Sequence, residues 1–314
     1  MYISFVIPVY NRPDEIVELL QSLDRQQFRD FEVIVVEDGS TVPCADVVAP
    51  FRDTLHLTYL SKPNSGPGPS RNYGAKYAKG DYIIVLDSDV ILPDDYTTAV
   101  CKALADGRID AFGGPDRANS NFTITQKAVN YSMTSFLTTG GIRGGMKRVD
   151  KFHPRSFNMG VRSTVWHQLG GFREMRYGED VDFSIRLKEA HFTVELVPEA
   201  WVWHKRRNTL GSFFRQVHHF GQARIHLYRL HPDTLKLVHL MPAAFVLCTT
   251  ALLLLAPFTC AWSLLPLALL ALILFVDSLI RNHNISVALL SVVTSFVQQF
   301  GYGTGFLKAL FQKQ

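Results

Sequence analysis

From Leu240 to Val276 the chain carries no charged residue, and that run limits the possible folds more than any other feature. A buried helical hairpin of a soluble protein could hold it, yet uncharged runs this long are rare in soluble cores. With about 1.5 Å of rise per residue and about 20 residues per crossing, it accommodates two short crossings with a break around Pro257–Pro266. Asp277, Arg281 and His283 then return the chain to polar surroundings. Another apolar stretch, Ile285–Val297, is interrupted by Gln298 and Gln299; it suits either a third crossing or a re-entrant or interfacial helix. Ahead of the run stand Lys205, Arg206, Arg207, Arg215, Arg224, Arg229 and Lys236, with Asp233 the only acid among them. Such a cluster beside a membrane segment marks the cytoplasmic side and favours anionic lipid. The basic, amphipathic Thr209–Leu230 either lies at the bilayer surface or packs as an ordinary helix.

The preceding residues read as a water-soluble α/β protein. A net charge of +4 gives no case for nucleic acid as a partner. Cys44, Cys101, Cys248 and Cys260 show no metal-ligand spacing, which fits a reduced, cytosol-facing protein. Ile3–Val9 lacks a basic lead and meets Asn11-Arg12-Pro13 at once, so it reads as a first strand rather than a secretory signal. Strand-like Ile3–Val9, Phe31–Val36, Leu55–Leu60 and Tyr82–Leu86 alternate with helix-like Asp14–Gln26, Ala45–Phe51 and Ser70–Ala78. That alternation predicts a parallel sheet covered on both faces. Pro13-Asp14-Glu15 and Pro93-Asp94-Asp95 place proline and acids in first helical turns. Farther on, Thr139-Gly140-Gly141 and Gly144-Gly145 predict loops around one helix, Ile124–Leu137. A helix at Glu179–Ala190 and a strand at Thr193–Val197 follow.

Polar residues gather at the strand exits, where open α/β sheets bind ligands. Tyr82–Leu86 ends in Asp87-Ser88-Asp89, and the i, i+2 carboxylates can present oxygen to one hard cation holding a diphosphate. The first strand leaves through Pro8-Val9-Tyr10-Asn11-Arg12 and the second through Glu37-Asp38-Gly39-Ser40. Each exit alone could be only a turn; three on one sheet would line one crevice. Asp38 can accept from a pyrimidine N–H or from ribose hydroxyls. Asn64-Ser-Gly66-Pro-Gly68-Pro-Ser70-Arg71 is a glycine-rich turn at a helix N-terminus, suited to phosphate. Without the lysine and spacing of a Walker A loop it does not support ATP hydrolysis. Arg71 pairs either with a diphosphate or with the carboxylates of the site.

Pro-Val-Tyr-Asn-Arg, Glu-Asp-Gly-Ser, Ser-Arg-Asn-Tyr-Gly-Ala and Asp-Ser-Asp, in this order, resemble the nucleotide-sugar half of family-two glycosyltransferases. Phe157-Asn158-Met-Gly160, Gly170-Gly171-Phe172 and Gly178-Glu179-Asp180-Val-Asp182-Phe resemble their acceptor half. The resemblance implies a GT-A (Rossmann-like) α/β fold, with a mostly parallel sheet, flanking helices and a C-terminal helical membrane segment. Its domains would be 1–205 (nucleotide-sugar half 1–110, acceptor half 111–205), a basic interfacial helix 206–238 and membrane helices 239–314. Pro8, Tyr10, Asn11, Glu37, Asp38, Arg71 and Asp87 would bind the donor. Asp89 and Asp87 would hold Mn²⁺ or Mg²⁺, with His204 either a third ligand or structural. Asp180 would be the catalytic base, its pKa lifted by Glu179; acids in a first helical turn also stabilise a helix without catalysis. Asn158 and Glu179 would mark the acceptor region.

The family implies an inverting transfer of one sugar from a UDP-sugar to a polyprenyl-linked saccharide. The enzyme would sit in the inner membrane, its catalytic domain facing the cytoplasm and serving envelope polysaccharide synthesis. Gln216-Val-His-His219-Phe220 lacks the arginine and tryptophan of the processive relatives' Gln-x-x-Arg-Trp, which speaks against a polymer synthase. A polyprenyl-phosphate sugar synthase and a non-catalytic nucleotide-binding scaffold remain as alternatives. A sugar-nucleotide pyrophosphorylase would need a glycine-rich loop after the first strand, where Tyr10-Asn11-Arg12-Pro13 stands.

Overall fold

A computed structural model describes residues 1–117, 122–140, 152–175 and 177–312 of the chain. Gly141 and Gly144-Gly145 lie outside them. The chain divides into two compact units, Met1–Asn119 with Phe152–Lys205 and Ser120–Lys151 with Arg206–Gln314.

The first unit is built on β1 (Ile3–Val9), α1 (Pro13–Asp24), β2 (Phe31–Asp38), α2 (Ala45–Val48), β3 (Leu57–Lys62), α3 (Pro67–Ala75) and β4 (Tyr82–Leu86). Every residue of β2 and β4 is buried, as inner strands of a sheet covered on both faces are. β5 (Val90–Ile91), α4 (Tyr96–Leu104), β6 (Ala111–Gly113) and β7 (Asp116–Arg117) follow. The second unit then takes up α5 (Ile124–Thr134) and α6 (Phe136–Thr139). The first resumes with β8 (Asn158–Arg162), α7 (Ser163–Leu169), α8 (Glu179–Glu189), β9 (Val194–Leu196) and β10 (Val202–His204).

The large sheet runs β3-β2-β1-β4-β8-β6-β9. β1 to β4 pair in parallel, whereas β8 is antiparallel to both β4 and β6. The sheet is mostly parallel, as expected, with one reversed strand that the sequence hid. β8 is short and carries Gly160, where a Cβ would fall 2.0 Å from the Phe112 ring, a close approach that keeps the strand from reading as a β-branched run. A small sheet, β5-β10-β7, sits beside it.

Several boundaries differ from the sequence reading. Pro50 turns Ala45–Phe51 into α2 plus a 3₁₀ turn, Ala49–Asp53, and Leu55 closes that turn through its N–H on the Phe51 carbonyl (2.8 Å). β3 therefore starts at Leu57. α3 begins at Pro67, which fits a first helical position. Pro93 and Asp94 precede α4 rather than entering it. Ile124–Leu137 breaks at Ser135, whose extended backbone (φ −66°, ψ 140°) caps α6.

In the second unit, α9 (Leu210–Leu230) is followed by α10 (Leu237–Leu255), α11 (Leu265–Asn282) and α12 (Ile285–Phe311). Leu237–Phe258, Trp262–Asn282 and Ile285–Phe311 are long and apolar enough to cross a membrane, and the protein is membrane-associated. α5 and α6, expected in the acceptor half, belong here instead. Tyr131 Oη donates to Asp277 Oδ2 (2.7 Å), Thr294 Oγ1 to the Ala128 carbonyl (3.0 Å) and Gln299 Nε2 to the Thr138 carbonyl (2.9 Å). The polar residues that interrupt the last apolar stretch thus satisfy backbone groups of this excursion.

Candidate active site

Asp87 and Asp89 leave β4 at the carboxyl edge of the sheet, and the small sheet supplies a third ligand from far along the chain. β10 pairs antiparallel with β5, setting His204 opposite Val90, while the Lys205 N–H bonds the Asp89 carbonyl (3.2 Å). Donor atoms of Asp87, Asp89 and His204 lie within 4.8 Å of one another. His204 Nε2 is 3.2 Å from Asp89 Oδ1, and its ring stacks on Phe157 (centroids 4.9 Å). Asp89 Oδ1 is buried with no well-formed hydrogen bond among the described residues, facing the His204 ring, and a cation would satisfy it. Two carboxylates and an imidazole suit Mn²⁺ better than Mg²⁺. Arg12 Nη1 donates to the other oxygen, Oδ2 (2.6 Å), and also touches Glu15 (2.8 Å). Burial alone would raise the Asp89 carboxyl; His204 and Arg12 hold it well below the usual carboxylate range.

Arg71, buried on α3, links this cluster to the start of α8. Its guanidinium bonds Asp87 Oδ1 (2.5 Å) and Glu179 Oε1 (3.2 Å) and lies over the Phe172 ring (5.6 Å). Glu179 opens α8 and is pushed up to about 7, first by burial and then by Asp180, with Arg71 opposing. Glu179 is the more deeply buried of the Glu179–Asp180 pair. Asp180 Oδ1 accepts from Val181 N (2.8 Å), while Oδ2 has Ser156 N at 3.4 Å and Arg155 Nη1 at 3.8 Å. Residues 155–157 therefore link it to the metal cluster, since Phe157 stacks on His204 and bonds Asp87 N through its carbonyl (3.4 Å).

The predicted donor residues mostly shape loops. Asp38 is buried, accepting from Lys62 Nζ (2.5 Å), Ser65 N (2.9 Å) and Gly66 N (2.8 Å), so it anchors the glycine-rich turn. Gly39 follows with φ +68°, and a Cβ there would fall 2.6 Å from Asn64 N; only glycine fits. Glu37 is buried under Cys44 N (2.7 Å), Tyr59 Oη (3.2 Å) and Ser40 Oγ. Asn11, with φ 54°, accepts from Thr41 N (2.8 Å) and Val42 N (3.0 Å) and so clamps the β2 exit. Pro8 is half-buried at the end of β1, and Tyr10 is exposed beyond it. Asn158, expected in the acceptor region, is fully buried, accepting from Tyr96 Oη (2.6 Å) and donating to the Ala200 carbonyl (2.7 Å). Sequence reasoning gave no role to Arg12 or Lys62. Arg12 stood inside a strand-exit motif, a usable signal; nothing local marked Lys62.

Residues 4–169 match the profile of the family described as Glycosyl transferase family 2. A poly(ribitol-phosphate) beta-N-acetylglucosaminyltransferase, TarS of Staphylococcus aureus, is 40% identical over 93 residues, 28% of this chain and 16% of that protein. An uncharacterized glycosyltransferase of Rickettsia conorii is 39% identical over 93 residues, covering 30% of this chain and 15% of its own length. The chain thus spans only a small part of such curated relatives. An uncharacterized glycosyltransferase of Haemophilus influenzae is 27% identical over 223 residues, 67% of this chain and 71% of that one. Among solved structures, the mannosyltransferase PcManGT from Pyrobaculum calidifontis, in complex with GDP-Man and Mn²⁺, superposes with a TM-score of 0.69 at 21% identity. That likeness, which is one of fold, covers 99% of this chain and 88% of the other.

Proposed function

Because the chain belongs to glycosyl transferase family 2 and is a glycosyltransferase, we propose that it transfers one sugar, with inversion, from a nucleotide sugar to a lipid-linked saccharide. The donor is a UDP-sugar and the acceptor a polyprenyl-linked saccharide of envelope polysaccharide synthesis. The enzyme acts in the inner membrane with its catalytic unit in the cytoplasm, a side assigned from the basic cluster ahead of α10. Residues 1–110 serve the donor and the rest of the first unit serves the acceptor.

One observation carries this reading: Asp87, Asp89 and His204, distant in sequence, converge at a strand exit and are tied through Arg71 to Glu179. Asp89, Asp87 and His204 would hold Mn²⁺ or Mg²⁺, which when bound stabilises a departing nucleoside diphosphate. Asp38 and Lys62 fix the turn at the start of α3, whose N-terminus favours phosphate. Asn11 and Glu37 set the β2 exit on which the nucleoside rests, and Pro8 and Tyr10 border it. Asp180 takes the acceptor hydroxyl's proton as that oxygen attacks the anomeric carbon; its Oδ2, with partners no nearer than 3.4 Å, is the oxygen that does so.

The test is nucleoside diphosphate release by the full chain in detergent. UDP- and GDP-sugars are supplied with and without Mn²⁺, and the acceptor is polyprenyl-diphosphate saccharide or polyprenyl phosphate. Release that needs Mn²⁺, a UDP-sugar and the saccharide is expected. Sugar transfer to polyprenyl phosphate alone would favour the synthase alternative, and absence of turnover with every donor would favour the scaffold.

A further inference from the structure

We infer that α12 does not cross the bilayer but lies in its surface across the base of the α10–α11 hairpin, leaving Gln312 on the same side as Lys236. By length and hydropathy α12 could span, so the inference rests on where its residues touch. A helix rising beside the hairpin from Asn284 would carry Gly303, roughly 27 Å along it, level with about residue 255 of α10. Gly303 instead packs on Pro242, roughly 8 Å into α10, where a Cβ would fall 2.3 Å from the Pro242 carbonyl oxygen. Phe296 and Phe300 both meet Phe245 (5.7 and 5.6 Å), and Ser291 bonds Ser278 near the end of α11 (2.8 Å). The Gly303 and Ser291 contacts lie near the hairpin's polar-flanked base, and Phe245 stands about 12 Å into α10, still well short of the level that a rising α12 would reach with Phe300.

The second half of α12 is also paired with a helix that hydrocarbon would reject. A Cβ on Gly305 would fall 2.0 Å from the His218 carbonyl oxygen and one on Gly221 2.1 Å from that of Tyr302, so α9 and α12 touch backbone to backbone. α9 carries Arg215, Arg224 and Arg229, and charged side chains at the bilayer centre are costly. Arg229 Nη2 donates to the Ala309 (2.9 Å) and Gln312 (3.0 Å) carbonyls, tying the end of α12 to the segment that precedes the hairpin. Lipid is the occupant of the remaining face. Ile285, Leu289 and Val293, one four-residue stripe, are 64%, 57% and 45% exposed, and Val276 and Ile280 near the end of α11 are exposed too. An apolar stripe beside basic side chains suits an anionic bilayer surface.

A membrane-impermeant maleimide, applied to membrane vesicles of each orientation and read by mass spectrometry of the labelled peptide, tests this without reference to activity. Asp233→Cys reports the side from which the hairpin enters; Gln312→Cys, and Lys308→Cys as a second site, report the end of α12. Labelling of both sites in the same vesicles as Asp233→Cys is expected. Labelling of either only in the opposite vesicles, or only after detergent, overturns the inference.

Discussion

Arg12 and Glu179 shape the site through ion pairs, one on Asp89 and the other on Arg71. Arg12 occupies one oxygen of Asp89 and leaves the other facing His204, and groups that orient a metal ligand are commonly worth about 10–100-fold in metal affinity. Arg12→Ala should therefore weaken Mn²⁺ binding by about that factor, measured by titration calorimetry in the presence of UDP. Arg12→Lys should recover only part, because an ammonium lacks the planar fork. Glu179 has a folded pKa of about 7, above its ordinary value of 4.5. A carboxyl raised in this way contributes stability that is complete below the unfolded pKa and disappears as pH climbs through the folded one. Melting temperatures of the wild type should thus fall relative to Glu179→Gln between pH 5 and 8 (roughly the window those values define); parallel curves would show that burial does not lift this carboxyl. Asp180→Asn should cut turnover by about 10²–10⁴-fold while leaving UDP affinity within about twofold, a split between kcat and binding expected of a base.

At the scale of elements, α9 and α12 meet along glycines, leaving no room for a side chain. Gly221→Ala puts a methyl group against the Tyr302 carbonyl and should destabilise the second unit by about 1–3 kcal/mol, the usual cost of overpacking; a lowered melting temperature in detergent with unchanged UDP binding would show it. Elements with strong local signals were legible in the sequence. β1, β2, β4, α8 and α9 have apolar periods and polar punctuation that agree with their environment, and the carboxylate pair after β4 pointed to the strand exit. Elements whose identity depends on distant partners were not. β8 is defined by antiparallel pairing with β4 and β6, and β5, β7 and β10 are too short to show a period. α5 and α6 look like part of the catalytic sequence until Thr294, Asp277 and Gln299 supply their partners. The setting of Asn158 was hidden for a similar reason: Phe157 beside it stacks on His204, while its own amide is held by Tyr96 and Ala200.

The whole molecule joins a GT-A-like unit to a helical one that holds it to the bilayer. α10 and α11 are apolar on nearly all sides, with few side chains buried, and each is about 30 Å long, the thickness of a hydrocarbon core. Alkaline carbonate or high salt should therefore leave the chain in the membrane pellet; extraction by salt would mean that basic side chains alone hold it there. The catalytic account stands on a different long-range relation, the meeting of Asp87 and Asp89 with His204 across the small sheet. Anomalous scattering from crystals grown with Mn²⁺ and UDP, collected at the manganese edge, addresses that meeting most directly. A single strong peak bridging Asp89 and His204 and shared with the diphosphate is predicted, and a manganese site elsewhere with this cluster vacant would contradict the account.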